Sequence, residues 1–133
     1  MRLIVCGSRT LTDYSIVKTA LDAVLKIVNK SELVVLSGHA KGADQLGEQW
    51  CFENMVKYER YPADWSKGKS AGMVRNALMV DNATHVLAFW DQKSSGTANT
   101  IELARKKKLK VKVIKFTRTT KNAAMGKVEP SWG

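Results

Sequence analysis

Three short stretches of this 133-residue chain carry side chains suited to holding an anion: Gly7-Ser8-Arg9, Ser37-Gly38-His39-Ala40-Lys41-Gly42-Ala43-Asp44, and Ser94-Ser95-Gly96-Thr97. Each combines glycine with hydroxyl or cationic residues. Glycine lets a backbone approach a ligand at angles that other residues resist. The helix start that follows such a turn offers unpaired N–H groups and a partial positive charge, which suits a phosphate or carboxylate. Arg9 can clamp a phosphate with two parallel hydrogen bonds, or it can form a surface salt bridge. Arg75 lies in a mostly apolar stretch, where an unpaired guanidinium is costly to bury. It therefore needs either a carboxylate partner or a ligand phosphate. Asp44 can cap the helix it begins or hold a sugar hydroxyl. Asp64 and Trp65 can supply an acid and a stacking surface for a base, or Trp65 can close the core over the sheet edge. Thr97 is placed to cap a helix, while Gly96 frees its loop to touch phosphate.

These residues need a scaffold, and the hydropathy pattern provides one. Apolar strands are expected at Arg2 to Cys6, Glu32 to Leu36, Val56 to Tyr61, His85 to Trp90 and Leu109 to Phe116. Helical periodicity fills the gaps at Tyr14 to Asn29, Ala43 to Asn54, Ala71 to Val80 and Thr97 to Lys107. In the third helix, Met73, Ala77 and Val80 are expected on one side. Strands alternating with helices predict a single α/β Rossmann-like domain of three layers, with a five-stranded, mainly parallel sheet over residues 1–116. A polar tail follows over 117–133. Ligands of such sheets sit beyond the carboxyl ends of the strands, where the strand order reverses. The three glycine turns follow strands one, two and four, so all three converge on that rim.

Composition narrows the function classes. No apolar run approaches the roughly 20 residues of a membrane span, so a cytoplasmic protein with no membrane partner is expected. Cys6 and Cys51 sit in apolar patterns without CxxC spacing and read as reduced core residues. Two Cys and two His without ligand spacing predict no metal, and no cofactor is expected. The net charge of +10 is lopsided: residues 1–66 hold 8 basic and 8 acidic side chains, residues 67–133 hold 14 and 4. The densest run is Arg105-Lys106-Lys107-Lys108 with Lys110, Lys112 and Lys115. It can grip nucleic acid, or simply solvate a helix end and guard an edge strand.

Taken together, Gly7-Ser8-Arg9, Ser37-Gly38 through Asp44, Pro62-Ala63-Asp64-Trp65, Ala71 through Met79, and Ser95-Gly96-Thr97 resemble the YspA-like branch of the SLOG superfamily, named for DNA-processing Smf/DprA proteins and LOG enzymes. The resemblance covers residues 2 to about 115. It implies a Rossmann-like pocket for a nucleotide or nucleotide-derived ligand, NAD- and ADP-ribose-related molecules included. The ligand-facing positions it implies are Gly7, Ser8, Arg9, Gly38, His39, Gly42, Ala43, Asp44, Asp64, Trp65, Arg75, Asn76, Ser95, Gly96 and Thr97. It also implies a homodimer or higher homo-oligomer. LOG enzymes cleave the N-glycosidic bond of nucleoside 5′-monophosphates, with an Arg in a Met-x-x-Arg-Lys helix and a Glu after a Gly-Gly-x-Gly-Thr loop. Here Arg75-Asn76 resembles the first, with Asn in place of Lys. The loop Lys93-Ser94-Ser95-Gly96-Thr97 lacks the paired glycines, and the next acid, Glu102, stands five residues after Thr97 rather than three.

Three functions are therefore expected to compete. The first is a sensor or sequestering module that binds a nucleotide in a phosphate-cradling pocket. The second is an N-glycosidic hydrolase of phosphoribohydrolase type, with Asp44, Arg75 and Glu102 as its catalytic candidates. The third is a DNA-binding protein using the basic second half.

Overall fold

A computed structural model describes residues 1–117, and the polar tail expected beyond them lies outside the described residues. Five strands, β1 (Arg2–Gly7), β2 (Val34–Ser37), β3 (Lys57–Arg60), β4 (His85–Trp90) and β5 (Lys110–Lys115), form one sheet in the order β3-β2-β1-β4-β5. Every pairing is parallel, so the sheet expected to be mainly parallel is wholly so. The helices are α1 (Tyr14–Val24), α2 (Ala43–Asn54), α3 (Ala71–Asp81) and α4 (Ser95–Lys106), with short 3-10 turns at Lys30–Glu32 and Trp65–Lys67.

The strand period of two divides β1 between two cores. Leu3 and Val5 face one side with Val17, Leu21, Trp50 and Cys51 of α1 and α2. Ile4 and Cys6 face the other with Met79, Val80, Ile101 and Ala104 of α3 and α4. This gives the three-layer Rossmann-like arrangement expected of a buried parallel sheet. Both cysteines are free and buried. No described helix is long and apolar enough to cross a membrane.

Three local expectations change. The α1 helix stops at Val24 rather than Asn29, and residues 25–27 continue as turns, with Lys26 N–H bonded to Ala23 O and Ile27 N–H to Val24 O. Leu25 and Val28 still pack on the core, which is why the apolar stripe outlasts the helix. In α3 the buried side is Ala71, Asn76, Met79 and Val80, while Met73 is exposed. Asn76 tolerates burial because both ends of its amide are hydrogen-bonded. At α4 the cap is Ser94, whose hydroxyl accepts from Thr97 N–H, rather than Thr97 itself.

Candidate functional site

Strand order reverses between β1 and β4, the neighbours whose following loops lead to helices on opposite faces. A cleft of about 770 Å³ opens there, at the carboxyl ends of the strands. Three walls meet in it: Gly7, Arg9 and Thr10 at and after the end of β1, Ala40 and Asp44 around the start of α2, and Asp91 with Lys93 through Thr97 around the start of α4. The N-terminal half of α3 closes the fourth side with Arg75 and Asn76, and Trp65 and Lys69 stand at its edge.

The β2–α2 turn is filled from within. A Cβ added to Gly38 would lie 2.5 Å from Arg75 Nη1 and 2.8 Å from Asp44 Oδ2, so the space the glycine leaves belongs to those side chains. Gly42 has φ +91°, and a Cβ there would be driven into Ser8 O, so it serves the close approach of the β1–α1 loop. His39, at φ 57°, turns its ring onto Glu48, with Nδ1 2.9 Å from Oε2. Glu48 is buried and also accepts from Ser37 Oγ at 2.7 Å and Arg60 Nε at 2.8 Å. Desolvation alone would raise its pKa, but these three donors hold it below the ordinary carboxylate value. Gly38, His39, Gly42 and Ala43 therefore shape the turn and do not line the cleft.

Asp44, like Ala40, does line the cleft. It lies in the first turn of α2 and does not cap it, since the cap position is Gly42. Only 5% of it is exposed, and desolvation pushes its carboxyl up to about 6 against the opposing pull of the Ala40 N–H, Arg75 and Arg9. Arg75 lies near enough to act on Asp44 electrostatically but forms no ion pair with it among the described residues. The guanidinium instead donates from Nη1 to Gly38 O at 2.8 Å and from Nε to Asn76 Oδ1 at 2.8 Å. Asn76 Nδ2 then donates to Asn99 Oδ1 at 3.1 Å and Gly96 O at 3.4 Å. Two consecutive side chains thus tie the β2–α2 turn to the β4–α4 turn.

The β4–α4 turn is open. Asp91 Oδ1 accepts the N–H groups of Lys93 and Ser94, both at 2.9 Å, and Oδ2 accepts from Thr10 Oγ1 at 3.0 Å. Desolvation would raise the Asp91 carboxyl, but these donors bring it down to about 2. Ser8 is buried and accepts the Asp91 N–H on its hydroxyl at 3.0 Å, so it braces this loop from behind. Beyond Ser94, the N–H groups of Ser95 and Gly96 have no acceptor among the described residues. A Cβ at Gly96 would meet nothing within 4 Å. Arg9 and Lys93 line the same cleft, and neither forms an ion pair among the described residues.

Two expected acids stand elsewhere. Asp64 caps the Trp65–Lys67 turn, accepting from Ser66 N–H at 3.2 Å, and is absent from the cleft lining. Glu102 lies on the outer side of α4, paired with Lys106 at 3.1 Å, beside a shallow hollow with Trp90 and Arg105. The position three residues after Thr97 is Thr100, a buried hydroxyl that donates to Gly96 O at 3.3 Å. Trp65 does not close the core: it is 55% exposed and rests against Gly72 at the cleft edge. The dense basic run stays clear of the cleft too, with Arg105 through Lys108 at the far end of α4 and Lys110 through Lys115 on the edge strand β5. Asp91, Thr10, Lys69 and Asn99 were missed by the sequence reading. Only Asp91 had a signal, the Asp-x-x-Ser pattern of a side chain that accepts backbone N–H groups ahead of it.

A sequence-family model for YAcAr, the YspA, cpYpsA-related SLOG family, matches residues 1–68. The Gene 61 protein of Mycobacterium phage D29 is 35% identical over 114 residues, covering 79% of this chain and 89% of the phage protein. Two solved structures share the fold. DNA processing protein A (DprA) of Streptococcus pneumoniae matches with a TM-score of 0.68 at 19% identity, over 93% of this chain and 52% of DprA. The chain therefore spans about half the length of that protein. DprA of Helicobacter pylori, described for its single-stranded DNA binding mode, matches with a TM-score of 0.64 at 18% identity, over 91% and 68%. By its sequence, this chain belongs to the YspA, cpYpsA-related SLOG family.

Proposed function

We propose that the cleft binds a nucleotide or nucleotide-derived ligand, NAD- and ADP-ribose-related molecules included, and that the protein acts as a sensor or sequestering module. The carrying observation is the open N-terminus of α4. Its Ser95 and Gly96 N–H groups lack acceptors among the described residues, its Gly96 leaves room for an anion, and Arg9 and Lys93 line the same cleft without ion pairs among the described residues. Free N–H groups, a helix dipole and unpaired cations together favour a phosphate group. Trp65 at the edge offers a face on which a base can stack.

Binding is favoured over LOG-type hydrolysis because Thr100 occupies the position of the LOG acid and Glu102 is engaged with Lys106. One observation keeps the hydrolase as a second reading: Asp44 is a buried cleft carboxyl pushed up to about 6, as suits an acid–base group.

The test is a panel of nucleoside 5′-monophosphates, NAD, ADP-ribose and cyclic nucleotides, read by thermal shift and by chromatography for released base. A shift without released base is expected. Released base that disappears in Asp44→Asn supports the hydrolase, and no shift from any compound overturns the pocket reading. Arg9→Ala is expected to weaken the bound nucleotide by about 1.5–3 kcal/mol, the size of a lost charged hydrogen bond. A gel shift with single-stranded DNA across several salt concentrations tests the nucleic-acid reading. Binding that survives Arg9→Ala but weakens steeply with salt would move the function to the basic second half.

A further inference from the structure

Asp44 poses a question that phosphate binding leaves unanswered. Its Oδ2 accepts the Ala40 N–H at 3.2 Å. Its Oδ1 accepts nothing among the described residues, yet no described side-chain polar atom sealed from solvent lacks a partner. Oδ1 must therefore face the cleft that Asp44 lines. A carboxylate so deeply buried, with one oxygen directed into the cleft and no protein donor on it among the described residues, is costly to keep unless a further donor completes it.

The chemistry of that donor can be narrowed. A phosphate is excluded by like charge, and it has a better place at Ser95 and Gly96. A partner that needs both carboxylate oxygens, such as the paired N–H groups of a guanine edge or a guanidinium, must share Oδ2 with the Ala40 N–H that it already accepts. A single hydroxyl fits one free oxygen. The position fits as well. Arg75 holds the Gly38 carbonyl beside Asp44, and the adjacent Asn76 holds the Gly96 carbonyl at the anion end. The acid and the anion end are thus spanned by two neighbouring side chains. In a nucleotide the group next to the phosphate is the sugar.

Resting on the phosphate placement proposed above, we infer that Asp44 Oδ1 accepts a hydrogen bond from a ribose hydroxyl, so the cleft selects ribonucleotides over their deoxy counterparts. The free carboxylate oxygen then does the reading, and the Ala40 N–H fixes the orientation of the carboxylate plane.

The test titrates the four ribonucleoside 5′-monophosphates, then the 2′-deoxy and 3′-deoxy analogues of the tightest binder, against the wild type, Asp44→Asn and Asp44→Ala. The expected result is about tenfold or weaker binding for one of the two deoxy analogues, with the difference shrinking in Asp44→Asn and vanishing in Asp44→Ala. Circular dichroism checks that both variants are folded. Should wild type bind all three forms equally, the ribose inference falls while the phosphate site stands. Should the discrimination persist in Asp44→Ala, another group reads the sugar and the inference also falls. Should no mononucleotide bind, both the site and this inference fall together.

Discussion

The two glycine turns before α2 and α4 look alike as sequence and do opposite work. Both follow a parallel strand, both carry a small hydroxyl residue, and both open a 12-residue helix. In the β2–α2 turn, each space left by a missing side chain is taken by the protein, Arg75 and Asp44 against Gly38 and the Ser8-Arg9 backbone against Gly42, and the His39 ring is held by Glu48. In the β4–α4 turn, the polar groups behind Ser94 are saturated by Asp91 and those ahead of it are left free. The first turn is a joint between loops. The second, on the function proposed above, is a socket. A glycine in a turn therefore reports that space is needed, and only the neighbours decide whether a ligand or the protein fills it.

Substitutions at the glycines would break this contrast most sharply if it were mistaken. Gly42→Ala must adopt φ near +91° and bring Cβ against the Ser8 backbone, so a destabilisation of about 3 kcal/mol or more is expected from strain and clash combined. Chemical denaturation would measure it. A loss below about 1 kcal/mol would show that the turn has slack and is no joint.

Next in size is Asp44, a residue of the joint that also lines the cleft. Its folded carboxyl keeps a proton up to about pH 6, whereas an unfolded aspartate releases it near about 3.9. Between these values the folded state binds more protons, so this group's contribution to stability falls as pH rises through the window. Asp44→Asn removes the desolvation of the charge and is expected to raise stability at pH 7 by about 1–2 kcal/mol, with little gain at pH 4. Arg75 and Arg9 pull this carboxyl down and Glu48 pushes it up, and Glu48 is itself held below the ordinary carboxylate value by its donors. Urea melts of both proteins at several pH values would show it, and equal stability at pH 7 would contradict a costly buried charge.

The smallest effect belongs to the socket. Gly96→Ala adds a Cβ into open space near the start of a helix, so stability should stay within about 0.5 kcal/mol, while phosphate-ligand affinity drops. The two measurements together separate room left for folding from room left for a guest. Unchanged affinity would place the ligand elsewhere in the cleft.

Much of the fold was legible because a parallel sheet writes its strands as unbroken apolar runs, and β1 and β4 are the plainest of these. The end of α1 was not, since Leu25 and Val28 stay in the core after the helix has stopped. Of the site, Arg9, Asp44, Arg75 and Gly96 were legible as residues with chemistry. Their pairings were not. That Arg75 fills the gap at Gly38 is a contact 37 positions apart along the chain, and no local pattern encodes it. Asn99 escaped notice because, on its own helix, it is an ordinary polar residue; it gains meaning only through Asn76.

The bridge of Arg75 and Asn76 has a kinetic consequence. Both walls of the cleft are fastened to α3 by the protein's own hydrogen bonds, and α3 is itself seated on the sheet through Met79 and Val80. A molecule entering the cleft meets walls already joined to each other among the described residues, so little conformational entropy of those walls is lost on docking. Encounter should then run at the ordinary rate for a preformed site, and differences between ligands should be written almost entirely in how long each one stays.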